Sequence, residues 1–279
     1  MSTATVTDQT LRHERPGRAR SSTRILAAFV RHDLLRQLRM WDAQLFIIGL
    51  PLGMFLLFNT LNGGSDDGAA FAYDGNLTAY LMVSMALYGA AVATTSLAGT
   101  AATERQLGWG RQLGMTALSP SLFVAGKAVI GGAVAVVPVV VVFVAGWFIG
   151  AEFASADRWA WAFLLTLAVA LPFALYGLAA AMLFRSEAAV SAAAGGLVVF
   201  AFLGNLFTPI NEMLLGVARF SPLYGPSLVA RWPMMEGEVI LTDAPPVTEP
   251  LWLALVNIGG WTAVFAMVCL LADRRRTRR

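Results

Sequence analysis

The chain has 279 residues, 57% of them hydrophobic and 13% charged, with a formal net charge of +3. A mean hydropathy of +0.66 excludes a soluble domain of ordinary composition, and no stretch remains for a soluble catalytic or nucleotide-binding domain. The small net charge conceals a very uneven distribution along the sequence.

Residues 1–23 are rich in Ser, Thr and Arg and read as a disordered cytoplasmic tail. Residues 24–42 differ. Ile25, Ala28, Phe29 and His32 recur at helical spacing, as do Leu34, Leu38 and Trp41, with Arg31, Arg36 and Arg39 between them. This pattern predicts an amphipathic helix in the inner headgroup layer, its arginines toward anionic lipid and Trp41 at the interface.

Residues 43–279 form one membrane domain. Six stretches in it carry no Asp, Glu, Lys, Arg or His: Ala43–Ser65, Gly75–Thr103, Ala128–Ala151, Trp159–Phe184, Ala188–Asn211 and Pro250–Ala272. At about 1.5 Å per residue such a run reaches roughly 35 Å, enough for a hydrocarbon core of about 30 Å. Backbone amides in lipid must bond within their own segment, so six runs predict six transmembrane helices. Pro51, Pro138 and Pro172 fall inside three of them and each should kink its helix. Gly49/Gly53 and Gly146/Gly150, spaced four apart, permit close helix contact. Asn59, Asn205 and Asn257 are the strongest polar groups near the spans, and interhelical hydrogen bonding is their expected role.

Two connections are longer than turns require. Glu104–Ser119 mixes charge with apolar Leu107, Trp109, Leu113 and Leu118 and ends at Ser119-Pro120, a helix-start signal. A short, partly apolar helix at the water boundary is a natural grip for a soluble partner. Thr208–Glu249 is rich in apolar residues, which predicts two short helices broken at Ser221-Pro222 and Gly225-Pro226, dipping partly back into the outer leaflet. Its acidic remainder, Glu236–Glu249, is expected to extend into the outer aqueous space.

Basic residues cluster before the first run, after the last, and in the Thr103–Lys127 connection. The opposite connections hold only Arg158, Arg219 and Arg231 as bases, with acids such as Asp66, Asp67 and Asp74. The positive-inside rule therefore places both termini in the cytoplasm, as an even number of spans requires. The arginine clusters read as topology anchors, not as a nucleic-acid surface. Cys269 is the single cysteine, and His13 and His32 lack the spacing of a metal site.

The connection after the second span carries a family resemblance. Glu104, Arg105, Gly108, Leu113, Thr116, Leu118 and Ser119 keep the register of the corresponding loop in ABC-2 type transporter membrane subunits, with Gly126-Lys127 opening the next span. The chain departs from that pattern at Ala117, where Pro is usual, and at Gly110 and Gly114. Phe207-Thr208-Pro209, Arg219-Phe220-Ser221-Pro222-Leu223-Tyr224 and Arg231 follow a second family pattern more loosely. The resemblance runs from the amphipathic helix to the sixth span. It implies an all-α membrane protein with six transmembrane helices, an N-terminal interfacial helix (Phe29, Arg31, Leu34, Leu38, Trp41) and a partly re-entrant outer helical loop between helices 5 and 6.

The same resemblance implies a half-transporter of bacterial exporter type in the inner cell membrane. A second permease subunit, identical or paralogous, would face this one within the lipid bilayer, and an ABC ATPase subunit would dock beneath. Glu104, Arg105, Gly108, Trp109, Leu113, Thr116, Leu118 and Ser119 would form the ATPase-coupling loop. Pro209, Arg219, Phe220, Pro222, Tyr224 and Arg231 would form an outer gate. No cofactor is expected on this chain, and ATP with Mg would bind the partner ATPase. Indeed no G-x-x-x-x-G-K-[ST] loop occurs, since Gly126-Lys127 leads straight into an apolar run.

Rival classes fare worse. An intramembrane enzyme needs a nucleophile–base pair, a metal triad or paired carboxylates at membrane depth, and the six runs hold no His, Asp or Glu. A proton- or ion-driven carrier lacks its titratable group for the same reason. A passive facilitator, or a sensor or assembly subunit using the 104–119 loop, stays open as an alternative. The Phe-, Leu- and Ala-rich runs suggest a hydrophobic or amphipathic cargo, such as a drug, natural product, peptide or lipid. One Lys against 19 Arg fits a GC-rich bacterial genome.

Overall fold

The computed structural model describes residues 22–40, 44–62, 74–106, 120–184 and 187–277. In chain order these form α1 (Ser22–Leu38), a π-helical turn (Leu45–Gly49) continuing into α2 (Leu50–Leu61), α3 (Leu77–Gln106), α4 (Pro120–Ile149), α5 (Ala156–Ala170), α6 (Pro172–Phe184) and α7 (Glu187–Leu203). Two short helices follow, α8 (Glu212–Ala218) and α9 (Tyr224–Met235), then paired strands β1 (Glu238–Val239) and β2 (Val247–Thr248), and finally α10 (Leu251–Thr277).

Helix α3 is the axis of the bundle, packing against α2, α4, α5, α6, α7 and α9. In an 18-residue window of its apolar stretch Leu77–Ala102, 89% of the residues are buried, whereas in the corresponding window of Leu251–Ala272 in α10 only 11% are. Composition explains the difference. Ala, Gly, Ser and Thr dominate α3 beyond Ser84, so neighbouring helices approach its backbone on every side. The closest approach is to α6, where a Cβ on Gly177 would overlap the Thr95 carbonyl.

That contact also repairs a broken helix. Pro172 has no backbone donor, and a turn at Leu171 separates α5 from α6. Two threonines on α3 reach across: Thr94 donates to the Ala170 carbonyl at 3.1 Å and Thr95 to Phe173 at 3.2 Å. Small residues bring the helices together and hydroxyls satisfy the acceptors around the break. Pro51 and Pro138 pack from opposite partners onto Gly89 of α3, each 3.0 Å from where a Cβ would sit. At the base of α2, Pro51 likewise offers no donor to the preceding turn, and the chain there is wound as the wider π helix.

Four helical stretches are long and apolar enough to cross a membrane: Leu77–Ala102, Val129–Ile149, Ala156–Phe184 and Leu251–Ala272. The other two expected runs form shorter apolar helices, Leu45–Leu61 and Ala188–Leu203. The 188–211 run is shortened because Asn205 adopts a left-handed backbone (φ 55°) and the chain turns away toward Pro209.

Three expectations need correction. Gly49/Gly53 does not form a helix contact, since nothing lies within 4 Å of a Cβ on Gly53 and Gly49 meets only its own helix at Leu45. Gly146 does, against Met82 of α3, and Gly150 instead ends α4 with φ 104°. Gly225-Pro226 is no break, because it lies in the first turn of α9, where a missing donor costs little. Finally, Glu236–Glu249 does not extend outward but folds back as the β1–β2 pair, with Val239, Leu241 and Glu249 buried.

One end of the bundle, here called the hairpin end, is knitted by Asn76 and Arg158. Asn76 caps α3 by accepting from Ala79 N at 2.9 Å, and its amide donates to Gly150 O at 2.7 Å. Arg158 on α5 pairs with Asp74 and Glu236 and donates to Pro233 O. At the opposite end α1 lies along α4 with Leu26, Phe29, Val30, Asp33, Leu34 and Gln37 turned inward and Ala28, Arg31 and His32 exposed. The buried face is thus offset from the expected Ile25–Ala28–Phe29–His32 stripe, because α4 rather than lipid alone sets it.

The Gly177 contact is testable. Gly177→Ala should destabilise the protein by about 1–3 kcal/mol through overpacking, lowering its melting temperature in detergent. Gly53→Ala, with open space around it, should leave the melting temperature unchanged.

Candidate functional site

Two regions concentrate polar groups within this apolar bundle. The first is the hairpin formed by α8 and α9 with the start of α10. Here Arg219 donates through Nε to Glu249 Oε1 at 2.7 Å, and its Nη2 lies 2.7 Å from the same oxygen. The Tyr224 hydroxyl donates to that oxygen at 3.1 Å. Glu249 is 3% exposed, so one buried carboxylate holds both α8–α9 residues. Hydrogen bonding to Glu249 holds the Arg219 guanidinium above its ordinary pKa. Burial first, then the Glu249 charge, pushes the Tyr224 phenol well above its usual range.

Below this pair Asn257 of α10 locks the turn between α8 and α9. Its amide donates to Arg219 O at 2.8 Å and Ser221 O at 3.0 Å, and its carbonyl accepts from Gly225 N at 3.2 Å. One turn further, Trp261 Nε1 donates to Phe220 O at 2.9 Å. At about 1.5 Å per residue, Trp261 lies roughly 15 Å along α10 from Leu251, so the turn descends far down the helix. The hairpin is also fastened to α7, through Ser221 Oγ to Phe200 O and Ser227 Oγ to Gly204 O.

The residues expected to act together as an outer gate are therefore divided. Arg219 and Tyr224 meet at Glu249, while Pro222 is buried in the turn and Phe220 is 77% exposed. Pro209 is half-buried in the link from α7. Arg231 stands elsewhere, buried on α9 with its guanidinium 4.3 Å from the centre of the Tyr80 ring on α3. Its Nε donates to Ser227 O at 3.1 Å. Sequence reasoning missed Glu249, whose position just before Pro250 and an apolar run was the available signal. Asn59, Asn205 and Asn257 all bond between elements: Asn59 accepts from Thr78 of α3 at 2.9 Å, and Asn205 donates to Ile240 O at 3.4 Å.

The second region is a cavity of about 770 Å³ between α1, the π-helical turn with the start of α2, α3 and α7. Tyr88, Val92, Ser96 and Thr100 line it from α3, Val190 and Val198 from α7, and Arg36 and Gln37 from α1. A second cavity of about 490 Å³ between α6, α7 and α10 is lined almost wholly by Ala, Leu, Val and Phe. It offers little chemistry.

Of the coupling loop, Glu104 and Arg105 fall in the last turn of α3, where only the backbone is described. Gly108, Trp109, Leu113, Thr116, Leu118 and Ser119 lie outside the described residues. The next helix does begin at Pro120, as its Ser-Pro signal indicates. In the interfacial helix Phe29 and Leu34 pack toward the core, Arg31 is exposed, and the Leu38 side chain and Trp41 lie outside the described residues.

Residues 25–226 match the family model described as ABC-2 type transporter, from the first turn of α1 to the first turn of α9. The chain belongs to that family. A comparison with curated proteins finds no match. As an ABC-2 permease, the chain is a multi-pass membrane subunit of a transporter whose family works with an ABC ATPase. The matched stretch covers α1–α7 and the 104–119 connection but stops at Pro226, so α10 and Glu249 itself lie beyond it. The sequence resemblance was drawn to the sixth span, further than the match extends.

The clamp makes a specific prediction for this permease. Glu249→Ala should destabilise the hairpin by about 1–3 kcal/mol, because two donors lose a buried charged acceptor. In a double-mutant cycle with Arg219→Ala the losses should be non-additive by at least ~0.5 kcal/mol. Denaturation in detergent followed by intrinsic tryptophan fluorescence measures both.

Proposed function

We propose that this ABC-2 permease is the membrane half of an exporter, moving a hydrophobic or amphipathic cargo with ATP hydrolysed on a separate ATPase subunit. The observation that carries the reading is the family match over residues 25–226, laid on a bundle organised around α3. The six apolar runs support it, since they contain no Asp, Glu, Lys, Arg or His through which an ion gradient would act. All six runs cross the bilayer in this reading, with α2 and α7 as short spans. A second permease subunit completes the path, as the identical or paralogous half.

The α1 end faces the cytoplasm of a bacterial cell, which the arginines of residues 12–39 and 274–279 support. The 104–119 connection then hangs from α3 on the cytoplasmic side. α3 packs against six of the other helices, so displacement at Glu104 is carried into much of the bundle. ATP binding acts only through differential contact with two states of that bundle. Glu104 provides the charged contact to the ATPase.

At the other end the α8–α9 hairpin is a partly re-entrant outer gate. The Trp261–Phe220 hydrogen bond supports this, because Trp261 is near the middle of the Leu251–Ala272 span. Arg219, whose carbonyl meets Asn257 within the span, directs its charge back up to Glu249, outside it, the snorkelling expected of a cation near lipid. Phe220, Met213 and Val217 are exposed, as lipid-facing residues would be.

Co-expression with its cognate ABC ATPase should yield a stable complex whose ATP hydrolysis exceeds that of the ATPase alone. Glu104→Ala should lower that stimulation several-fold while membrane insertion persists. Absence of both complex and stimulation overturns the reading. A reporter fused within residues 63–74 should be exported and one at Gly110 should stay cytoplasmic, measured by compartment-specific enzyme activity.

A further inference from the structure

We propose that the cavity between α1, the π-helical turn, α3 and α7 binds one amphipathic molecule, its net-neutral hydrogen-bonding head at the α1 end and its apolar tail toward Tyr88. The inference rests on the permease reading and specifies the cargo of that site.

The walls carry the argument, because all of them change polarity in the same direction. On α3 the lining residues are spaced by four and so form one stripe: Tyr88, Val92, Ser96, Thr100. The stripe runs from aromatic and aliphatic to hydroxyl over roughly 18 Å at 1.5 Å per residue. Helix α7 runs antiparallel beside it. Val190 packs where Gly99 lacks a side chain, which fixes the register and puts Ser191 near Thr100 and Val198 toward Tyr88. The third wall begins with Arg36 and Gln37 on α1 and continues into Phe46, Ile47 and Leu50.

A wholly apolar occupant would cover Ser96 and Gln37 without giving their polar atoms a partner, at a desolvation cost of about 1–3 kcal/mol each. A wholly polar occupant would bury its far end against Val92, Val198 and Leu50. Only a molecule polar at one end matches both. Charge then narrows the head. The Arg36 guanidinium lies 2.9 Å from Asp33 Oδ1, so the one cation among the described lining residues is already countered by a carboxylate one turn away. A net anion entering there meets no uncompensated cation among the described lining residues, whereas an uncharged or zwitterionic head hydrogen-bonds Gln37 and Ser96 and accepts the local dipole. The depth of about 18 Å exceeds one leaflet's ~15 Å of hydrocarbon, so the tail reaches past the membrane midplane.

The test uses the full chain in lipid nanodiscs, in a Cys269→Ala background, with a single fluorophore at Thr100→Cys or Val92→Cys. The probes are lysophosphatidylcholines carrying a nitroxide either on the head or near the end of the acyl chain. Head-labelled probe should quench the position-100 fluorophore several-fold more than the position-92 fluorophore, and chain-labelled probe the reverse. Both effects should saturate and be displaced by unlabelled lysophosphatidylcholine. Ser96→Trp, filling the middle of the cavity, should abolish the saturable quenching while the melting temperature is retained.

Equal quenching by the two probes, or quenching that rises without saturation as bulk lipid would give, overturns the site. So does saturable binding that persists in a folded Ser96→Trp protein. Displacement about tenfold better by lysophosphatidylglycerol than by lysophosphatidylcholine overturns the net-neutral head. Absent quenching, with a disulfide joining the introduced thiols of two unlabelled Thr100→Cys chains, assigns the cavity to a second copy of the chain instead. These measurements need no ATPase, so their failure leaves the permease reading standing, and loss of ATPase stimulation leaves the binding result standing.

Discussion

The structure depends on how closely helices can approach the backbone of α3. In lipid there is no hydrophobic gain from pressing one apolar helix against another, so association rests on close packing and hydrogen bonds. Small residues along α3 supply the first and its threonines the second. Gly177 brings α6 against the Thr95 carbonyl, and Thr94 and Thr95 then reach the carbonyls of Ala170 and Phe173 beside the break at Pro172. The prolines of the neighbouring helices are tolerable only because α3 receives them, Pro51 and Pro138 at Gly89 and Pro172 at the threonine pair. A helix that holds so many others by such contacts can also transmit movement, which suits a subunit driven from one end.

The polar groups fall into two arrangements with different physics. At the hairpin end the clamp residues bond one another directly. Glu249 satisfies Arg219 and Tyr224, and Asn257 engages three backbone groups of the α8–α9 turn. Such a network rigidifies and fixes position. In the cavity near α1 the polar atoms of Gln37 and Ser96 line an open space, and Arg36, the one cation among the described lining residues, is countered by Asp33. A directly bonded network builds a scaffold, and groups facing open space suit a ligand. The clamp therefore sits at one end of the bundle and the cavity proposed for binding at the other.

Much of this was legible in the amino-acid order. The six uncharged runs identified a membrane protein, because a buried backbone without water leaves few alternatives to the helix. The Glu104–Ser119 register pointed to the family that the match over residues 25–226 establishes. Pro172 announced a break and Ser119-Pro120 a helix start. Side-chain pairing was not legible. Arg219 and Arg231 look alike in the sequence, yet one meets a carboxylate thirty positions later and the other an aromatic ring from a distant helix. Glu249 and Asn257 carried no local signal that they would converge on one turn.

The sequence by itself determined which segments are helical and apolar, where the basic residues gather and which family the chain joins, because each of these follows from local composition. Only the tertiary structure decided that α3 is the buried axis, that Glu236–Glu249 folds back, and that Arg219 and Tyr224 share Glu249 while Arg231 does not. Those outcomes turn on which helix faces meet. Facing is set by small residues far apart in the chain, and no local pattern of charge or hydropathy encodes it.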